Sequence, residues 1–285
     1  MQPPASPDHI FRTRGHLSTM SFSLRPSFIR PWHLLLPVAI AVATAPAWLR
    51  WYEPGLFYFL NRQLAFAPDG FWAFFCLLGT GWCAYALTAP LLLKAPRVFM
   101  AWLCAAPFAG IFTRMGKAMA DNLRPLGVLE PQSVHVIGEP LYLAAMPSGH
   151  TMTAFALATA IYFSLPMRGR RIHLWLFLAA VLVALSRVAV GAHWPADVSV
   201  AAAAGVLSGL IGASLASQIP DQWLKPHTWT MRAVALLGVY SIYVLVSDPM
   251  GFTQNMPVQY LLAAYLLFNL IYFSTHSFRR PICNS

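Results

Sequence analysis

Three short stretches of this sequence gather residue types that can handle an anion. In the first, Lys117 is followed after six residues by Arg124-Pro125, with Arg114 one turn ahead of Lys117 and Asp121 between the two cations. The spacing of seven puts Lys117 and Arg124 on nearly one helical face. A charge deep in a membrane helix costs about 2.5–3.5 kcal/mol on insertion scales. One such side chain could snorkel to water. Four close together, ended by Pro125, read instead as a cationic wall lining a polar cavity.

The second stretch is Met146-Pro147-Ser148-Gly149-His150, at the start of an apolar run. A helix N-terminus offers free backbone N–H groups and a positive dipole end, both suited to an anion. Ser148 can cap such a helix, and Gly149 lets an anion approach the backbone. His150, in the first turn, can donate a proton. On its own this stretch is an ordinary cap. The third stretch is Ser186-Arg187, then His193 and Asp197, with Pro195 suited to the first turn of a helix. His193 and Asp197 are four apart and can meet. A carboxylate that holds one imidazole nitrogen leaves the other free to attack. On its own this pair is equally an interfacial histidine beside a capping Asp.

These stretches sit at the ends of apolar segments. The 285-residue chain is 58% hydrophobic and only 10% charged, against about 25% charged in soluble domains. One soluble core cannot hide that much apolar surface, so the composition predicts an all-α membrane protein. The net charge of +10 falls in small groups between apolar stretches, with no continuous basic stripe, which argues against nucleic acid as a partner. Runs of about 17–25 apolar residues can cross a bilayer as helices. They fall at 33–50, 71–93, 98–120, 149–166, 172–190, 196–218, 231–247 and 258–276. The first could be a signal peptide cut near Ala43-Thr44-Ala45, but Pro46 and the polar residues ahead of it favour a retained helix. Residues 1–31, rich in Pro, Ser and Arg, read as a disordered tail that starts at Met1 or Met20. Basic residues cluster in that tail, at Lys94 and Arg97, at 168–171, at Lys225 and Arg232, and at Arg279-Arg280. That one-sided bias predicts cytoplasmic termini, with the 121–148 and 191–195 connections on the far side.

Taken together, the three stretches resemble the three-part signature of the type-2 phosphatidic acid phosphatase (PAP2) superfamily, its membrane lipid phosphatase branch. Every signature position is filled, in order, with linking lengths of 21 and 35 residues. The resemblance implies a six-helix core over residues 32–220. Residues 221–285 lie outside it and read as an added membrane hairpin and short tail, for packing or dimerisation. It implies that His193 attacks phosphorus, that Asp197 orients it, and that His150 protonates the leaving oxygen and then activates water. It also implies that Lys117, Arg124, Arg187, Ser148 and Gly149 hold the phosphoryl oxygens. Such a site needs positioning and charge rather than covalent chemistry from elsewhere. No Asp/Glu cluster has two-metal spacing, so neither metal nor cofactor is expected. Arg114 lies outside the signature and could meet a second phosphate.

The implied substrate is a lipid phosphate in the outer leaflet of a bacterial inner membrane, or in a lumenal leaflet of a eukaryotic endomembrane. Undecaprenyl diphosphate, phosphatidylglycerol phosphate, phosphatidic acid and lipid A phosphate all fit. A phosphotransferase passing phosphate from undecaprenyl diphosphate to lipid A is the alternative, since Phe57-Tyr58-Phe59-Leu60-Asn61 is similar to the first outward loop of such relatives. An inactive lipid-binding scaffold and a vanadium haloperoxidase rank below both. The sequence leaves the oligomeric state open. Loop residues His135, Glu139 and Tyr142 read as exposed polarity, and the four cysteines, Cys76, Cys83, Cys104 and Cys283, as apolar fillers plus one free thiol. Ala201, Gly205, Gly209 and Ala213 form a small-residue ridge suited to close helix packing.

Overall fold

A computed structural model describes residues 29–50, 53–167 and 170–278. The tail expected over residues 1–31 lies largely outside this range, as do Arg168, Arg279, Arg280 and Cys283. The described residues are helical, with no strand among them. The main helices are α1 (Leu35–Ala43), α2 (Pro54–Leu64), α3 (Asp69–Leu78), α4 (Gly81–Thr88) and α5 (Pro96–Ala120). They continue as α6 (Gly149–Ser164), α7 (Trp175–Ala189), α8 (Pro195–Gln218), α9 (Trp229–Ser247) and α10 (Met256–Ser277). Each of the eight apolar runs is helical, and the chain is a polytopic membrane bundle.

The spans are less uniform than the hydropathy suggests. Five helical stretches are long and apolar enough to cross a bilayer, starting at Pro96, Arg170, Pro195, Asp221 and Thr253. The run at 71–93 is two helices, α3 and α4, bent by 76° between Leu78 and Gly81. The bend packs tightly: a Cβ on Gly79 would lie 2.7 Å from Val183 and 2.8 Å from His150. The run at 149–166 yields the 16-residue α6, about 24 Å long at 1.5 Å per residue and so short of a hydrocarbon core of about 30 Å. α2, in the first connection, is an additional helix that no apolar run announces.

α5, α6 and α8 pack on one another and form the centre of the bundle. The ridge on α8 does what its spacing predicts. A Cβ on Gly205 would lie 2.7 Å from Met152 O and one on Gly209 2.5 Å from Thr159, both of α6; Gly212, outside that ridge, comes as close to α5, 2.4 Å from the Ala101 carbonyl. Backbones this close leave no room for larger residues. α7 covers α6 on one side, and α9 and α10 pack on each other and against α4. There the Tyr85 hydroxyl donates to Val234 O at 2.6 Å, and the Ser241 hydroxyl donates to Trp82 O at 3.1 Å. The added hairpin is thus seated on its own chain.

Candidate active site

Four helix ends meet at one end of the bundle: the C-termini of α5 and α7 and the N-termini of α6 and α8. α5 ends just beyond Lys117 because Asp121 takes the left-handed conformation (φ 39°), and its N–H bonds back to Lys117 O. Lys117 and Arg124 therefore do not share a helical face as their spacing suggested. Arg124 is extended (φ −77°, ψ 168°), ahead of a short helical turn at Pro125–Val128.

The two cations converge instead on a row of carbonyls. Lys117 Nζ donates to Ala144 O. Arg124 donates from Nε to Leu143 O at 2.7 Å, from Nη1 to Ala192 O at 3.0 Å and from Nη2 to Ala144 O at 3.4 Å. Its own N–H donates to Tyr142 O at 2.9 Å. Asn122 holds this strip in place, accepting from Ala145 N at 3.0 Å and, through its side chain, from Met146 N at 2.9 Å. Ala144 itself sits at φ 55°, which a residue with a Cβ rarely adopts.

His193 lies at the centre. Its Nδ1 is 3.1 Å from Asp197 Oδ2, and its Nε2 is 3.3 Å from Arg124 Nη1. His193 precedes α8 rather than belonging to it, so the pair meets across the helix start. The same carboxylate oxygen accepts Trp194 N at 2.8 Å. Guanidinium can only donate, so Nε2 presents its lone pair to Arg124 and Nδ1 carries the proton bonded to Asp197. Burial, then the charges of Arg124, Arg187, Lys117 and His150, hold His193 well below the usual imidazole range. A neutral imidazole with Nε2 unprotonated is the nucleophilic form.

Arg187 is 3% exposed. Its Nη1 donates to Cys76 Sγ at 3.0 Å, and Nε has no partner among the described residues. Cys76 in turn donates to the Ser186 hydroxyl at 3.3 Å. Cys76 is therefore a contact of a site arginine, not only a filler, and a lone apolar-run cysteine carries no sign of that in sequence. Asn61, which the sequence offers only as the end of the Phe57–Asn61 motif, has a structural role that the motif does not reveal. Its amide donates to His135 O, Val188 O and Ala189 O at 3.0, 3.0 and 3.1 Å and accepts His135 N at 2.9 Å. It clamps the loop between α5 and α6, here called the covering loop (residues 121–148), to the end of α7.

α6 begins at Gly149, as read from sequence, with His150 in its first turn. Ser148 does not cap it by its side chain. Its hydroxyl accepts from Thr151 at 3.1 Å, while its N–H donates to Asp197 O at 3.2 Å, tying α6 to α8. A Cβ on Gly149 would meet nothing closer than Thr113 at 3.5 Å. The protein would tolerate one, and its absence leaves room beside the helix start. Gly149, His150 and Arg114 line a cavity of ≈ 560 Å³. Arg114 thus faces that cavity. Of the covering loop, His135 pairs with Asp69 at 3.2 Å, and Glu139 N donates to Gly251 O at 3.0 Å. Among the described residues no three His, Cys, Asp or Glu side chains gather as a metal site would require.

Residues 98–219 match the model of the PAP2 superfamily. A stretch of 66 residues is 38% identical to "Lipid A 1-phosphatase" of Porphyromonas gingivalis, covering 23% of this chain and 15% of that protein. The match therefore spans a small part of that relative's length. The fold overlays on the crystal structure of Aquifex aeolicus LpxE with a TM-score of 0.50 and 29% identity, over 57% of this chain and 94% of that one. The matched region holds Lys117, Arg124, Ser148, His150, Arg187, His193 and Asp197, the residues that meet at the end of the bundle. Signature, family match and fold agree over this region, so residues 98–219 are similar to the PAP2 superfamily.

Proposed function

We propose that this protein is a metal-independent lipid phosphatase working through a phosphohistidine, with its site on the non-cytoplasmic face of a bacterial inner membrane. The observation that carries the reading is the orientation of His193, with Nδ1 on Asp197 and Nε2 toward Arg124. Nε2 attacks phosphorus as the bond from phosphorus to the lipid oxygen breaks. His150 gives its proton to the departing alkoxide. Asp197 steadies the imidazolium, and Lys117, Arg124 and Arg187 take up charge on the phosphoryl oxygens. Arg187 Nε and the N–H groups at the start of α6 add donors. His150 then removes a proton from water, which attacks phosphorus, breaks the N–P bond and frees inorganic phosphate.

The likeness to a lipid A 1-phosphatase and to LpxE makes a sugar-linked lipid phosphate the first substrate to test. Phosphate release by the purified chain is measured with lipid A, undecaprenyl diphosphate, phosphatidylglycerol phosphate and phosphatidic acid, in the presence of EDTA. At least one lipid is cleaved, and His193→Ala lowers the rate by about a thousandfold or more. A His193→Ala chain that still releases phosphate at a comparable rate would refute the mechanism. A dependence on acceptor lipid would turn the reading to phosphotransfer.

A further inference from the structure

The cavity beside His150 is not built from the family region alone. α5 contributes Trp102 and Arg114, and α6 contributes His150 and Leu157. The lining also includes Asp248 and Met250, from the turn between α9 and α10. That turn lies beyond residue 219, where the family match ends. It is fixed from several sides. The Asp248 side chain accepts Met250 N at 2.7 Å, and its carbonyl accepts Gln259 Nε2 at 2.8 Å. Gly251 O accepts Glu139 N at 3.0 Å, Phe252 is buried with Ile137 and Trp72, and Asn255 Nδ2 donates to Ala73 O at 2.7 Å. Met250 (φ 52°) and Gly251 (φ 81°) both hold left-handed backbone to make the turn. These ties give the wall a set shape.

We propose that the α9–α10 turn is a specificity-determining wall of the substrate cavity, where Asp248 and Met250 receive the lipid alcohol that leaves when phosphate is transferred. This rests on the lipid phosphatase reading. The phosphoryl group belongs among the cations around His193, and His150 stands on the side of the leaving oxygen. The cavity at His150 therefore takes the alcohol. A carboxylate accepts hydrogen bonds and donates none. With one Asp248 oxygen bonded to Met250 N, the other suits a hydroxyl or ammonium donor of the alcohol. Trp102, Leu157 and Met250 supply apolar surface in the same cavity. The preferred substrate is thus a phosphate on a hydroxyl-bearing group such as a lipid-linked sugar, in preference to one on bare diacylglycerol.

The test compares kcat/KM of the full chain on a sugar-lipid 1-phosphate, phosphatidic acid and p-nitrophenyl phosphate. In Asp248→Asn the new side-chain oxygen can still accept Met250 N, so the turn is kept while the charge is removed. The sugar-lipid to phosphatidic acid ratio falls by about tenfold, as for loss of a hydrogen bond to a charged group. Met250→Trp narrows the cavity and lowers the ratio of either lipid to p-nitrophenyl phosphate by about tenfold. Parallel losses on all three substrates, or ratios unchanged in both variants while the parent chain is active, would overturn the wall. A parent chain that cleaves none of the three would remove the phosphatase reading beneath it, and the wall with it.

Discussion

Arg124 does two things that a count of charges does not reveal. It fixes the His193 tautomer, and it is one of the cations that hold that imidazole low. A free imidazole titrates near about pH 6.5. Since the folded His193 protonates only well below that, the acid limb of kcat/KM falls below about pH 6.5. Arg124→Gln removes a depressing charge, so the limb moves up in pH while the plateau drops by about a hundredfold or more. The same shift makes the fold less stable in acid: the unfolded chain takes up the proton near pH 6.5 while the native one resists, so stability is lost as pH falls below about 6.5. Arg114, on the side of the leaving group, makes a separate prediction. Arg114→Ala costs a lipid diphosphate more activity than a monophosphate, and equal losses would exclude a second-phosphate contact. The signature residues were readable because their types and spacing are local. Cys76, 111 positions from Arg187, was not, since its partnership exists only once α3 lies against α7.

Elements were readable where hydrophobic periodicity runs long and obscure where a few polar bonds decide. The α5, α8 and α10 spans announce themselves. The break between α3 and α4 does not, because both halves are apolar and packing around Gly79 sets the angle. The end of α5 was missed for the opposite reason: the helical spacing of Lys117 and Arg124 is real in sequence, but Asp121 turns the chain first. Asn61 on α2 shows how much rests on one amide. Asn61→Ala leaves the His135 N–H and the His135 and Ala189 carbonyls short of partners, while Val188 O keeps Gly191 N at 3.1 Å; each unsatisfied group costs about 1–3 kcal/mol. The melting temperature falls, and activity falls with it as the covering loop loosens; an unchanged melt would show that the clamp carries no weight. Gly191, at φ 74° with its Cβ position 3.0 Å from His135 O, makes the turn just before His193. Gly191→Ala there costs about 1–2 kcal/mol or more in backbone strain alone and moves His193, the nucleophile of the proposed mechanism, so kcat is expected to fall more than KM rises.

In the whole molecule the site stands at one end of the bundle, and among the described residues Lys94, Arg97, Arg170, Arg171 and Lys225 stand at the other. There Arg97 reaches across from α5 to Asp221 at 2.6 Å and to Ile219 O at 2.7 Å, beyond the end of α8. The charge bias predicts which end faces the cytoplasm. In a chain with Cys283→Ser, a cysteine at Glu130 is labelled by an impermeant thiol reagent on intact spheroplasts, and one at Lys225 is protected; the reverse pattern would invert the topology. The seam of α5, α6 and α8 bears the rest. Gly209→Leu forces apart backbones that touch and lowers stability by about 1–3 kcal/mol or more, read as a lower melting temperature in detergent. Helices locked at Gly209 and Gly212 cannot slide past one another, so the distances among His150, Arg187 and His193 do not follow the thickness of the surrounding bilayer. A thicker or thinner lipid environment is then met by the bent α3–α4 pair and the outer helices, outside the locked seam.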